Sequence, residues 1–223
     1  SGRINIFTHK SVANLNASYA KQWTDNESVT GGVTHIKSND VHVYLTNDEV
    51  ELMRQISVAI ADNLLIEMLY GGTIQERIKY ATLLQLPTWF HEGLIQYLAN
   101  GWDTESDNLL RDLFNNVQFS SFNKLSKSKQ VLIGRNIWQY IHDNEKKDAI
   151  EEILYSVRVT KKVETALLIV LNKTSRHLYS EWYFTNSALY AAELKRRIPP
   201  TPEGNARNHE QTLFFSAQPP PPP

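Results

Sequence analysis

Leu86-Pro87-Thr88-Trp89-Phe90-His91-Glu92-Gly93-Leu94-Ile95 is the stretch on which the fold turns. Pro87 suits the first turn of a helix, where a missing N–H costs nothing. Trp89 to Asn100 keeps amphipathic helical spacing, and Gly101 is a natural stop. His91-Glu92 opens like H-E-x-x-H, which sets two imidazoles one turn apart with a glutamate beside them as general base. The fifth position is Ile95, so the pair is no self-contained zinc motif. On spacing alone, His91 and Glu92 are polar residues on the surface of a helix.

Upstream, Thr46-Asn47-Asp48-Glu49 carries a capping-box signature and opens a helix over Asp48 to Tyr70. Val50, Met53, Ile56, Val58, Ile60, Leu64, Leu65, Met68 and Leu69 cover most of its circumference, which predicts a central, buried helix. Gly71-Gly72 ends it. Before it, Val33 to Lys37 and Asp40 to Leu45 flank Ser38-Asn39 and predict a two-residue hairpin. Pairing Lys37 with Asp40 sets Ile36, Val41, Val43 and Leu45 on one face. His35, Lys37, Asp40, His42 and Tyr44 then share the other, with His35 opposite His42. Arg3 to Thr8 reads as a short strand and Ser11 to Trp23 as a helix.

Downstream the chain is mostly helical. Periodicity predicts helices over 74–84, 107–115, 127–144, 147–157, 161–171 and 175–197, the last with a break near Thr185. Residues 1–197 read as one domain of α+β class: a small N-terminal sheet with a hairpin edge strand, packed on a buried central helix, followed by a mostly helical half. Ile198 to Gln211 is linker-like, and Pro219 to Pro223 is a polyproline II end.

Composition sets the outer limits. The 223 residues carry a formal charge of -1, with 41% hydrophobic and 21% charged residues, so there is material for a real core. The absence of cysteine excludes disulfide scaffolds, Cys-ligated zinc, iron–sulfur clusters and thiol nucleophiles. The charge balance argues against broad nucleic-acid binding. No apolar run approaches the ~20 residues that span a bilayer. Seven histidines leave a His/carboxylate site as the chemistry to test.

Leu86-Pro87-x-Trp89-Phe90-x-Glu92-Gly93-Leu94-x-x-Tyr97 resembles the P-x-W-F-x-E-G-L-A-x-Y segment of gluzincin-type, peptidase MA-like domains. Gly31 to Leu45 is similar to that family's strand over the active-site cleft. Gly134-Arg135-Asn136-Ile137-Trp138-Gln139-Tyr140-Ile141 is similar to its G-x-x-F/W-x-x-Y-I helix, and Leu171 to Trp182 to its closing helix. The likeness covers Arg3 to Ala192. It implies a zincin-like fold, lacking here the first strand and helix. It also implies that Glu92 stands at the third zinc-ligand position, whereas His91 falls at a variable one.

The same resemblance places H-E-x-x-H on the helix over Asp48 to Tyr70, which holds no histidine. Ala61, Asp62 and Leu65 stand where His, Glu and His belong. One carboxylate makes a poor zinc site, because zinc takes three or four ligands, and water activation needs that metal. Ile60-Ala61, Leu64, Glu67-Met68, Tyr70-Gly71-Gly72 and Leu86 to Leu94 further resemble a metal-less peptidase-like domain of Bacteroidota proteins, one that precedes TolB-like β-propeller repeats. The resemblance thus implies a pseudopeptidase without cofactor, periplasmic or envelope-associated, that binds a protein or peptide. Its cleft candidates are His35, His42, Tyr44, Trp89 and His91. The alternative is a zinc-dependent metallopeptidase with atypical ligands. It would have to recruit the hairpin's His35 and His42 toward His91 or Glu92.

The remaining constellations have plainer readings. No G-x-S-x-G elbow or phosphate-binding glycine loop occurs. Lys195-Arg196-Arg197 complements a helix C-terminus. The lysines from Lys124 to Lys129 read as a solvated loop, and Asp103, Glu105 and Asp107 as a solvated acidic one. Trp89, Trp102, Trp138 and Trp182 match core positions or their edges.

Overall fold

The computed structural model describes residues 4–19, 33–34, 40–71, 84, 86–116 and 125–197. In chain order these form β1 (Asn5–His9), α1 (Val12–Tyr19), β2 (Val33–Thr34), β3 (Asp40–Tyr44) and α2 (Glu49–Tyr70). There follow α3 (Thr88–Asn100), α4 (Thr104–Asn116), α5 (Lys127–Asn144), α6 (Ala149–Thr160), α7 (Val163–Leu171) and α8 (Ser175–Arg197). The fold is α+β, mostly helical with one small sheet. The expected helix over 74–83, the Ser38-Asn39 turn, His35, Trp23, and the linker and tail over 198–223 lie outside the described residues. Leu84 is described and is not helical.

The sheet has strand order β1-β3-β2, and it corrects the expected pairing. β2 is antiparallel to β3, as the hairpin requires, but Val33 opposes His42 and Thr34 opposes Val41. Val33 thus takes the place opposite His42 that the expected register gave to His35. A slip of two residues keeps every side chain on its face, so alternation alone cannot choose between the two registers. β3 also pairs in parallel with β1, Phe7 opposite His42 and His9 opposite Tyr44, with α1 as the crossover. Val41 and Val43 pack on Ala59 of α2, with Ile4, Leu52 and Ile56 around them.

Asp48, not Thr46, caps α2. Its carboxylate accepts from the backbone N–H groups of Val50 and Glu51, while Thr46 bonds the backbone of Asp48 itself. The cap thus sits two residues beyond the expected one, and the Glu51 carboxylate pairs with Arg54 while Thr46 Oγ1 accepts from the Asp48 N–H. α2 is not buried all round either. Core helices and the sheet take two of its sides, and Val50 (77% exposed), Met53, Leu64 and Met68 remain on an open apolar stripe.

α3 lies between α2 and α5. Its crossing with α5 is unusually close, and two glycines permit it. A Cβ on Gly134 would come within 2.1 Å of the Trp89 carbonyl oxygen, and one on Gly93 within 2.7 Å of the Gly134 backbone. Trp138 Nε1 donates to the Phe90 carbonyl at 3.0 Å, and Trp182 Nε1 donates to Asn136 Oδ1 at 2.7 Å. Arg135 closes the far end of α3. It donates to the carbonyls of Gly101 and Asn100, to Ser106 Oγ and to Asp103 Oδ2, satisfying carbonyls that a helix end leaves bare. No helix among the described residues is long and apolar enough to cross a membrane.

Candidate functional site

Pro87 opens α3, its carbonyl accepting from the N–H groups of Phe90 and His91. Trp89, Phe90 and Leu94 then turn into the core, which leaves His91 and Glu92 on the flank toward α2 and the start of α5. Four polar side chains from three helices meet there. Asp62 comes from α2, His91 and Glu92 from α3, and Lys127 from the first residue of α5. Lys127 Nζ lies 2.7 Å from Glu92 Oε1, and His91 Nε2 lies 3.9 Å from Asp62 Oδ1.

The His91–Asp62 separation is too long for a hydrogen bond. His91 Nε2 is buried and makes no hydrogen bond. Burial pushes the imidazole below its ordinary range, partly offset by the Asp62 and Glu92 carboxylates, while Lys127 adds to the depression. His91 is therefore neutral at pH 7. Asp62 acts further off too: Tyr70 is raised first by burial and then by that carboxylate.

The other sequence-derived positions fall as follows. Ala61 and Leu65 are buried in the main hydrophobic cluster with Val58, Leu69 and Leu94. Trp89 lies in that same core, edge-to-face with Phe90 and tilted against Trp138. Tyr44 is half-buried, and its backbone N–H donates to Gln55 Oε1 at 3.2 Å. His42 is buried on the sheet and its imidazole partner is His9, whose Nε2 stands 3.1 Å from His42 Nδ1. The acidic loop is not free for a cation: Asp103 serves Ser106 N–H and Arg135, and Asp107 lies on α4, paired with Arg111 and Tyr190.

Sequence reading missed Lys127 and His9. Lys127 starts α5, as the helix predicted over 127–144 has it, but the lysines there read as solvated and its pairing with Glu92 was not foreseen. The Gly134 motif held the signal, because a helix crossing so close to Gly93 brings its own N-terminus toward the residue before that glycine. His9 lies one residue past the expected first strand, and nothing local announces a parallel partner.

The zinc that the resemblance implies does not fit these residues. Ala61 and Leu65 offer no lone pair and are built into the core. Glu92 already holds a protein cation. Among the described residues, what remains at this junction is an imidazole and a carboxylate, short of the three protein donors of a catalytic zinc. The arrangement can bind polar groups and hold charge. No protein-family model matches the chain, and no curated protein and no solved structure matches it.

Proposed function

We propose that the chain is a degenerate gluzincin-like domain, a pseudopeptidase that has exchanged zinc chemistry for binding of a protein or peptide. The observation that carries this reading is the Glu92–Lys127 ion pair, with apolar Ala61 and Leu65 of α2 built into the core. The Glu of the E-G-L segment is kept on a helix packed against α2, as the resemblance requires, but its electrostatic partner is a lysine. The zincin-like character of the fold rests on the same resemblance, supported by a helix that crosses a small mixed sheet and then packs on the glutamate-bearing helix. Placement in a bacterial cell envelope, ahead of a β-propeller, rests on the Bacteroidota likeness alone.

Binding is the function left to such a surface. Asp62, His91, Glu92 and Lys127 offer donors and acceptors at the junction of α2, α3 and α5, and the open stripe of α2 offers apolar contact. The test is a proteolysis assay on an unstructured substrate, casein, with added zinc. The expected result is no cleavage above that of Glu92→Gln. Zinc-dependent cleavage abolished in Glu92→Gln would instead establish a metallopeptidase with atypical ligands.

A further inference from the structure

The His9–His42 pair stands apart from that junction and has no part in the proposed function. The parallel ladder sets Phe7 opposite His42 and His9 opposite Tyr44, so the two histidines are diagonal neighbours on one face of the sheet. Val41 and Val43 point the other way, locked on Ala59. Phe7 stacks on the His42 ring at 4.8 Å with the planes 10° apart, which fixes the orientation of that ring. His9 Nε2 and His42 Nδ1 then approach to 3.1 Å. Strand pairing, not a loop, sets this distance.

We propose that His9 and His42 form a two-histidine chelate for a divalent first-row transition metal, copper(II) first, with nickel(II) and zinc(II) weaker. Neutral imidazole suits these ions, and copper(II) heads their affinity order. Two imidazole nitrogens, each about 2.0–2.1 Å from one ion, stand about 3 Å apart, which is the separation found here. In the metal-free pair one ring donates an N–H to the lone pair of the other. Binding takes the state in which both facing nitrogens present lone pairs to the ion. Solvent completes the coordination shell.

The test is titration of the full chain with copper(II) chloride, followed through the histidine ring resonances and by calorimetry, with magnesium chloride as the oxygen-seeking control. The expected result is one equivalent of copper, with paramagnetic broadening of His9 and His42 first, and no response to magnesium. His9→Ala and His42→Ala each weaken binding by about a hundredfold, the upper end of what even outer partners of a metal site cost. His177→Ala, an exposed histidine paired with Glu181, leaves affinity unchanged. Broadening in the unaltered chain decides the matter even if His42→Ala fails to fold. No binding, broadening that starts at other histidines, or full affinity in His9→Ala would overturn the proposal. The site shares no residue with the Glu92 junction, so its failure and that of the pseudopeptidase reading are separate results.

Discussion

Asn63 is buried on α2, and neither atom of its side-chain amide has a hydrogen-bond partner. A buried amide left unpaired costs about 1–3 kcal/mol, and asparagine is also a poorer helix former than alanine. Asn63→Ala is therefore expected to raise stability by about 1 kcal/mol or more in urea denaturation, and a loss would contradict this. His91 gives a second residue-scale prediction. Its folded pKa is lowered, first by burial, so between the folded and unfolded values the unfolded chain binds more protons. Stability is then complete above the ordinary histidine range near 6.5 and falls as pH drops through the folded pKa. Urea midpoints measured from pH 8 to pH 5 should decline on the acid side, and His91→Gln should remove part of that decline. An identical acid slope in the variant would show that His91 is not the group responsible. Asp62 and Glu92 were singled out by a resemblance between short motifs, which left His91 at a variable position. Lys127 was not, because an ion pair across two helices leaves no trace in local spacing.

At the scale of elements, helices were easier to read than strand pairs. α5 runs over Lys127 to Asn144 as its periodicity predicts, and α2 departs from expectation at its cap and in the apolar stripe it leaves open. α8 continues through Thr185 without the expected break. Helical signals are local, repeating every three or four residues. The pairing of β1 with β3 joins segments more than thirty residues apart, and neither strand records its partner. The hairpin register failed for the related reason that a period of two survives a slip of two. The α3–α5 crossing makes the sharpest element-scale prediction. Gly134→Ala should cost about 1–3 kcal/mol or more, the range for overpacking, because the Cβ meets backbone and not a movable side chain. Gly93→Ala should behave likewise. Gly101→Ala serves as the control: its Cβ meets nothing, and its φ of 61° makes backbone strain the only penalty. Equal, small losses in all three would contradict the close crossing.

For the whole molecule, α3 is the piece on which both core and candidate site depend. One side of it builds the hydrophobic cluster with α2 and α5, and its remaining flank carries His91 and Glu92. The sheet and α2 form a second, smaller cluster through Val41, Val43 and Ala59. The open stripe of α2 runs between these contacts and was not legible, since apolar residues all round a helix do not tell which side lacks a neighbour. The central claim is that Glu92 serves a lysine and not a zinc ion. Its most direct test is zinc content after equilibrium dialysis at neutral pH, compared between the unaltered chain and Glu92→Ala in a His9→Ala background that silences the sheet pair. The account predicts the same zinc content in both, well below one ion per chain. One zinc per chain, lost on Glu92→Ala, would contradict it.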